Sequence, residues 1–180
     1  MLRSLTTALL ASSIMLLAAP ATSQAITARA AQACPAAHAS AANGNTGGVT
    51  SATLCLLNFE RAARHLRPLR SNVALAAAAA AHSRDMAARN YFSHDTPGGG
   101  SFVKRIQAAR YIKPNTAWTV GENLAWGTGS LGSPAATVDA WMRSAGHRRN
   151  ILNGSFAEIG IGVVATGDKA LYTTDFGRRG

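Results

Sequence analysis

The chain has 180 residues, 47% of them hydrophobic, with 18 basic against 8 acidic side chains and a net charge of +10. That length fits one ordinary domain and not comfortably two. The charge favours an anionic partner, such as a wall polymer or a lipid headgroup. The arginines are scattered and aromatics are few, which argues against nucleic acid.

Residues 1–25, "MLRSLTTALLASSIMLLAAPATSQA", read as a signal peptide. Arg3 supplies the positive start, Leu5 to Ala19 the uncharged apolar stretch, and Ser23-Gln24-Ala25 the small residues of a cleavage site. The apolar stretch is short for a membrane span and no later run is longer, so no transmembrane segment is expected. The expected product is exported, secreted or held in the cell envelope. In that setting Cys34 and Cys55 are expected to form one disulfide. Two cysteines alone make no structural zinc site, and His38 nearby does not complete one.

Residues 26–49 are Ala, Ser, Gly, Asn and Thr with little to bury, and read as a flexible arm that Cys34 would pin to the domain. The domain is expected over 50–180. "SATLCLLNFERAARHL" has helical spacing, with Ser51 as the candidate cap and Pro68 as the stop. His65 and His82 are expected on helices as packing residues. "NVALAAAAAAHSRDMAARN" follows, with Asn72 as cap and six alanines, 76–81, that favour helix and leave a smooth face for close approach. Tyr91 and Phe92 can anchor the chain as it enters the glycine-rich loop "SHDTPGGG". Ser101 starts a short helix, and "TAWTVGENLAWG" is extended. Ser133 and Pro134 form a strong helix start. "EIGIGVVA" and "LYTTDFG", around "TGDK", predict a β-hairpin. Helices first and a terminal hairpin last argue an α+β fold with a mostly antiparallel sheet.

His94, Glu122, His147 and Glu158 each lie beside a loop or a helix end, at spacings of 28, 25 and 11 residues. These spacings match no local metal motif, and the chain has neither HExxH nor paired CxxC. "TTDFG" contains Asp175-Phe176-Gly177 without the other parts of a kinase, and "GTGSLGS" lacks the lysine of a phosphate loop. No G-x-S-x-G elbow is present. Asn153-Gly154-Ser155 is a sequon of three residues in a turn. Asn123 and Asn150 are expected to satisfy loop backbone groups, and Trp126 and Trp141 to lie in the core.

Taken in order, "YFSHDTP", "GENLAWG", "VDAWMRSAGHRRNIL", "EIGIGV" and "YTTDFG" closely resemble the CAP superfamily of cysteine-rich secretory, antigen 5 and pathogenesis-related proteins, in a compact bacterial form. The resemblance covers about Thr50 to Gly177. It implies a three-layer α-β-α sandwich whose central cleft is lined by two histidines and two acids, a site that in some members holds zinc. His94, Glu122 and His147 match three of these four positions. Where the eukaryotic pattern has its second acid, this chain has Arg143 or Ser144, so Glu158 is the candidate replacement. The implied metal ligands are His94, His147 and Glu122; the structural alternative has Glu122 clamping the histidines by hydrogen bonds.

Besides a structural domain that scaffolds the envelope with a vestigial cleft, two functions follow. One is a non-enzymatic binding module for a metal, small molecule, lipid or anionic envelope polymer, as several eukaryotic relatives bind sterols or other lipids. The other is a metal- or acid/base-dependent hydrolase of peptide or peptidoglycan, with Glu122 as general base. No activated serine or cysteine nucleophile is evident, which favours the first.

Overall fold

The computed structural model describes residues 29–42 and 45–180. The expected signal peptide, residues 1–25, lies outside the described residues. Helix α1 spans Thr46–Ala62, strand β1 Arg70–Ser71, α2 Val73–Arg89, α3 Phe102–Ala108, β2 Trp118–Thr128, α4 Pro134–Arg143, α5 Ala145–Ile151, β3 Glu158–Thr166 and β4 Lys169–Arg179.

Local chemistry sets most of these boundaries. The side chain of Asn72 accepts from the backbone of Ala74 and Leu75, Ser101 accepts from Lys104, and Ser133 accepts from Ala136 with Pro134 next in line. Asn90 closes α2 in the left-handed conformation, φ 51°, which asparagine tolerates. Helix α1 differs from expectation. It begins at Thr46 after Asn45, so Ser51 lies inside it, and it ends at Ala62, well before Pro68. His65 is therefore beyond the helix, in a left-handed turn at φ 57°.

The sheet order is β1-β3-β4-β2. Strands β3 and β4 form the expected hairpin around Gly167 and Asp168, and β4 also pairs antiparallel with β2 along its whole length. The two residues of β1 pair parallel with β3, so the sheet is mixed rather than purely antiparallel. The last strand in sequence is central, and β2 is an edge.

Alternation along the strands makes two faces. One carries Ile159, Ile161, Tyr172 and Phe176 into a core with Leu56, Leu57, Val138, Trp141 and Ile151 from α1, α4 and α5. The other faces α2 and α3. There the alanine run meets two glycines: a Cβ on Gly160 would stand 2.0 Å from the Leu75 carbonyl carbon, and one on Gly162 2.3 Å from that of Ala79. The layers are α-β-α, as the sequence implies.

Cys34 and Cys55 are bonded, with Cα atoms 5.8 Å apart. The segment before α1 is less loose than its composition predicts. Ala30, Cys34, Ala37 and Ala41 are buried in the main core, small side chains fitting where larger ones would not. Trp141 is buried as expected, but Trp126 is 55% exposed, its ring under the Lys169 ammonium at 4.9 Å.

Candidate functional site

The loop after α2 carries His94, and two contacts fix it. His82, buried on α2, donates from Nε2 to the Ser93 carbonyl at 2.9 Å. Arg105, on α3, donates from Nη1 to the His94 carbonyl at 2.8 Å. The same guanidinium reaches the Gly100 carbonyl at 3.3 Å, so it spans the mouth of the glycine-rich loop.

Glu122 lies on the edge strand β2, its side chain almost fully buried. Its two oxygens have different partners. Oε1 accepts from His94 Nδ1 at 2.7 Å, and Oε2 accepts from Arg105 Nη2 at 2.6 Å. A carboxylate can only accept, so the shared hydrogen belongs to His94 Nδ1, and Nε2 is the remaining polar atom of a half-exposed ring.

His147 comes from the opposite layer. Asn123 donates to the His147 carbonyl at 3.1 Å, while Asn150 donates to the Glu122 carbonyl at 3.1 Å and to Asn123 Oδ1 at 2.8 Å. The two asparagines satisfy backbone groups of a helix and a strand rather than of loops, and hold α5 against β2. Burial, and then the nearby His94, lower the proton affinity of His147. Burial likewise lowers that of His82, ahead of the charge of Arg105.

Two residues missed in the sequence complete this group. Arg105 is one. Asp175 is the other: it sits directly opposite Glu122 on β4, fully buried. Among the described residues neither Asp175 oxygen has a hydrogen-bond partner, and Arg105 Nε is also buried without one. Burial first, and then the charge of the neighbouring Glu122, push the Asp175 carboxyl well above the ordinary range. The protonated form of Asp175 is thereby favoured. An aspartate inside a strand of otherwise uncharged residues, "ALYTTDFG", was the available signal.

Glu158 does not join His94, Glu122 and His147. It shares the face of Glu122, but the Tyr111 ring lies over Gly177 beside it and its hydroxyl donates to Glu158 Oε2 at 2.8 Å. Asn72 donates to Oε1 at 2.9 Å, and Arg179 stands 3.6 Å away. Arg143 pairs instead with Asp139, one helical turn back.

Zinc does not fit this arrangement. Among the described residues no three His, Cys, Asp or Glu side chains gather as metal ligands. Glu122 spends one oxygen on a guanidinium and the other on His94, and it does not bridge both histidines. Arg105 already supplies the cation beside the carboxylate.

The chain matches the model of the CAP, or cysteine-rich secretory protein, family over residues 54–176. It belongs to that family. It is 40% identical over 121 residues to the uncharacterized protein YkwD of Bacillus subtilis, covering 67% of this chain and 44% of YkwD. The uncharacterized membrane protein YlbC of the same organism is 35% identical over 126 residues, 70% of this chain and 33% of YlbC. The chain thus spans less than half the length of either relative. Among solved structures, an extracellular protein containing an SCP domain from Bacillus anthracis superposes with a TM-score of 0.60 at 32% identity, over 73% of this chain and 40% of that one.

Proposed function

We propose that this chain is an exported CAP-domain binding module, not an enzyme, that takes a small-molecule, lipid or envelope ligand at His94, Glu122 and His147 without a resident metal. The observation that carries this reading is the state of Glu122. Both its oxygens are engaged, by His94 at 2.7 Å and by Arg105 at 2.6 Å, so it offers neither a free base nor a free metal ligand. The signal-like residues 1–25 and the disulfide support export. Asp175, buried directly opposite Glu122, fits a rigid, polar wall. The test is hydrolysis of peptidoglycan and casein, with and without added zinc, alongside calorimetric titration with zinc. The protein is expected to match its Glu122→Gln variant in both assays. Activity that Glu122→Gln abolishes, or a zinc site that His94→Ala removes, would overturn the proposal.

One observation favours the second reading, an acid/base hydrolase. With Nδ1 bound to Glu122, the neutral His94 ring keeps its lone pair on Nε2, the arrangement of a carboxylate-oriented base. In that reaction the base is His94, and Glu122 orients it. Turnover lost in both His94→Ala and Glu122→Gln would select this reading.

A further inference from the structure

Arginines scattered in the sequence converge away from the His94 group. Arg67 and Arg70, between α1 and α2, meet Arg178 and Arg179 at the end of β4 around a cavity of about 850 Å³. Its one carboxylate, Glu158, is already committed. Burial alone would raise that carboxyl, but hydrogen bonds from Tyr111 and Asn72 and the charges of Arg179 and Arg70 outweigh burial and hold it ionised. Arg179 faces inward as well, stacked over Tyr111 at 4.5 Å. Among the described residues Arg67, Arg70 and Arg178 make no ion pair. All three are exposed.

The wall of this cavity is built, not draped. Arg61 is buried beneath it with no carboxylate partner, and its fork is satisfied by backbone carbonyls: Nε by Arg67 at 2.9 Å, Nη1 by Ile151 at 2.6 Å and Asn153 at 3.0 Å, and Nη2 by Phe156 at 3.3 Å. These bonds fix the loop carrying Arg67 against the loop before β3. They also place a fifth positive charge under the floor. A concave site walled by one sign of charge concentrates ions of the other sign.

We propose that this cavity binds a ligand carrying two or more phosphate groups. Three unpaired guanidiniums around one space exceed what a single carboxylate can engage. A phosphate presents several oxygens and accepts from two forks at once. The phosphates can be those of a soluble molecule or of lipid headgroups, and the proposal does not depend on any role of His94.

The test has two arms. Titration calorimetry with sodium tripolyphosphate at low salt probes the soluble source. Co-sedimentation with phosphatidylglycerol vesicles, against phosphatidylcholine vesicles, probes the headgroup source. Binding in either arm is expected to weaken about tenfold or more in Arg67→Ala/Arg70→Ala and in Arg178→Ala. It is expected to change less than about twofold in Arg148→Ala/Arg149→Ala, which removes the same charge from α5. His94→Ala is expected to leave it unchanged. Arg67→Lys/Arg70→Lys keeps the charge without the fork and should fall between, while thermal unfolding verifies that each variant folds. The responding arm names the source. No binding in either arm, or equal losses in the cavity and α5 variants, would overturn the proposal.

Discussion

Asp175 faces Glu122 across neighbouring strands, in register, and burial beside Glu122 raises the Asp175 carboxyl well above its ordinary range. Arg105 pairs with Glu122 from the side. The pair explains why an acid stands in the middle of a sheet: protonated, it costs far less to bury than it would ionised.

A raised pKa in the fold means that folded protein holds a proton the unfolded chain releases. Stability from Asp175 is therefore full below the ordinary carboxylate range and declines as pH rises toward the raised value. Asp175→Asn mimics the protonated acid. It should raise the melting temperature at pH 7 and give no gain near pH 4. An equal effect at both values would contradict a protonated Asp175.

The histidines act in the opposite sense. His82 and His147 bind protons less readily in the fold, so the unfolded chain takes up more protons as pH falls below about 6.5. The histidines' share of the stability should drop from pH 7.5 to pH 5.5, opposite to the gain from Asp175, and urea unfolding of Asp175→Asn isolates it. His147→Gln should shrink the drop, and an unchanged slope would mean that His147 titrates normally.

Gly160 leaves no room for a side chain against the Leu75 backbone. Gly160→Ala should cost about 3 kcal/mol, since neither helix nor strand can yield locally. Gly47→Ala, in the first turn of α1 with nothing within 4 Å, should be neutral or gain up to about 1 kcal/mol. Matched urea curves check both, and a mild Gly160→Ala would mean that α2 can lift from the sheet.

The disulfide closes a loop between residues 21 apart in sequence. Reduction, or Cys34→Ser with Cys55→Ser, should cost about 3 kcal/mol. The loss should be visible in thermal unfolding with and without reductant. Because Ala30, Ala37 and Ala41 pack with Cys34, proteolysis after reduction should cut first within 29–42.

Local signals were legible wherever a backbone group needs a side chain. Asn72, Ser101 and Ser133 announce their helices because unpaired amide groups require them. His94 and Glu122 were legible as motif residues. Arg105 and Asp175 were not, because they reach Glu122 from 17 residues before and 53 after, and only the sheet register and the position of α3 bring them there. Glu158 misled for the same reason: it has the right face and chemistry, but Tyr111 over Gly177 separates it from Glu122. Trp126 was expected inside, but it lies on the edge strand beyond the reach of α2. Residues 30–41 looked too small to bury, yet smallness is what lets them fit beneath α1.

The strand order carries a consequence in time. The central strand β4 is made about forty residues after β2, which pairs with nothing else in the sheet. Arg61 waits still longer, with acceptors 90 to 95 residues downstream. A ribosome or export channel releasing this chain from its N-terminus therefore releases helices without a sheet to rest on. Assembly becomes a late, nearly single event that needs residues 169–179 free.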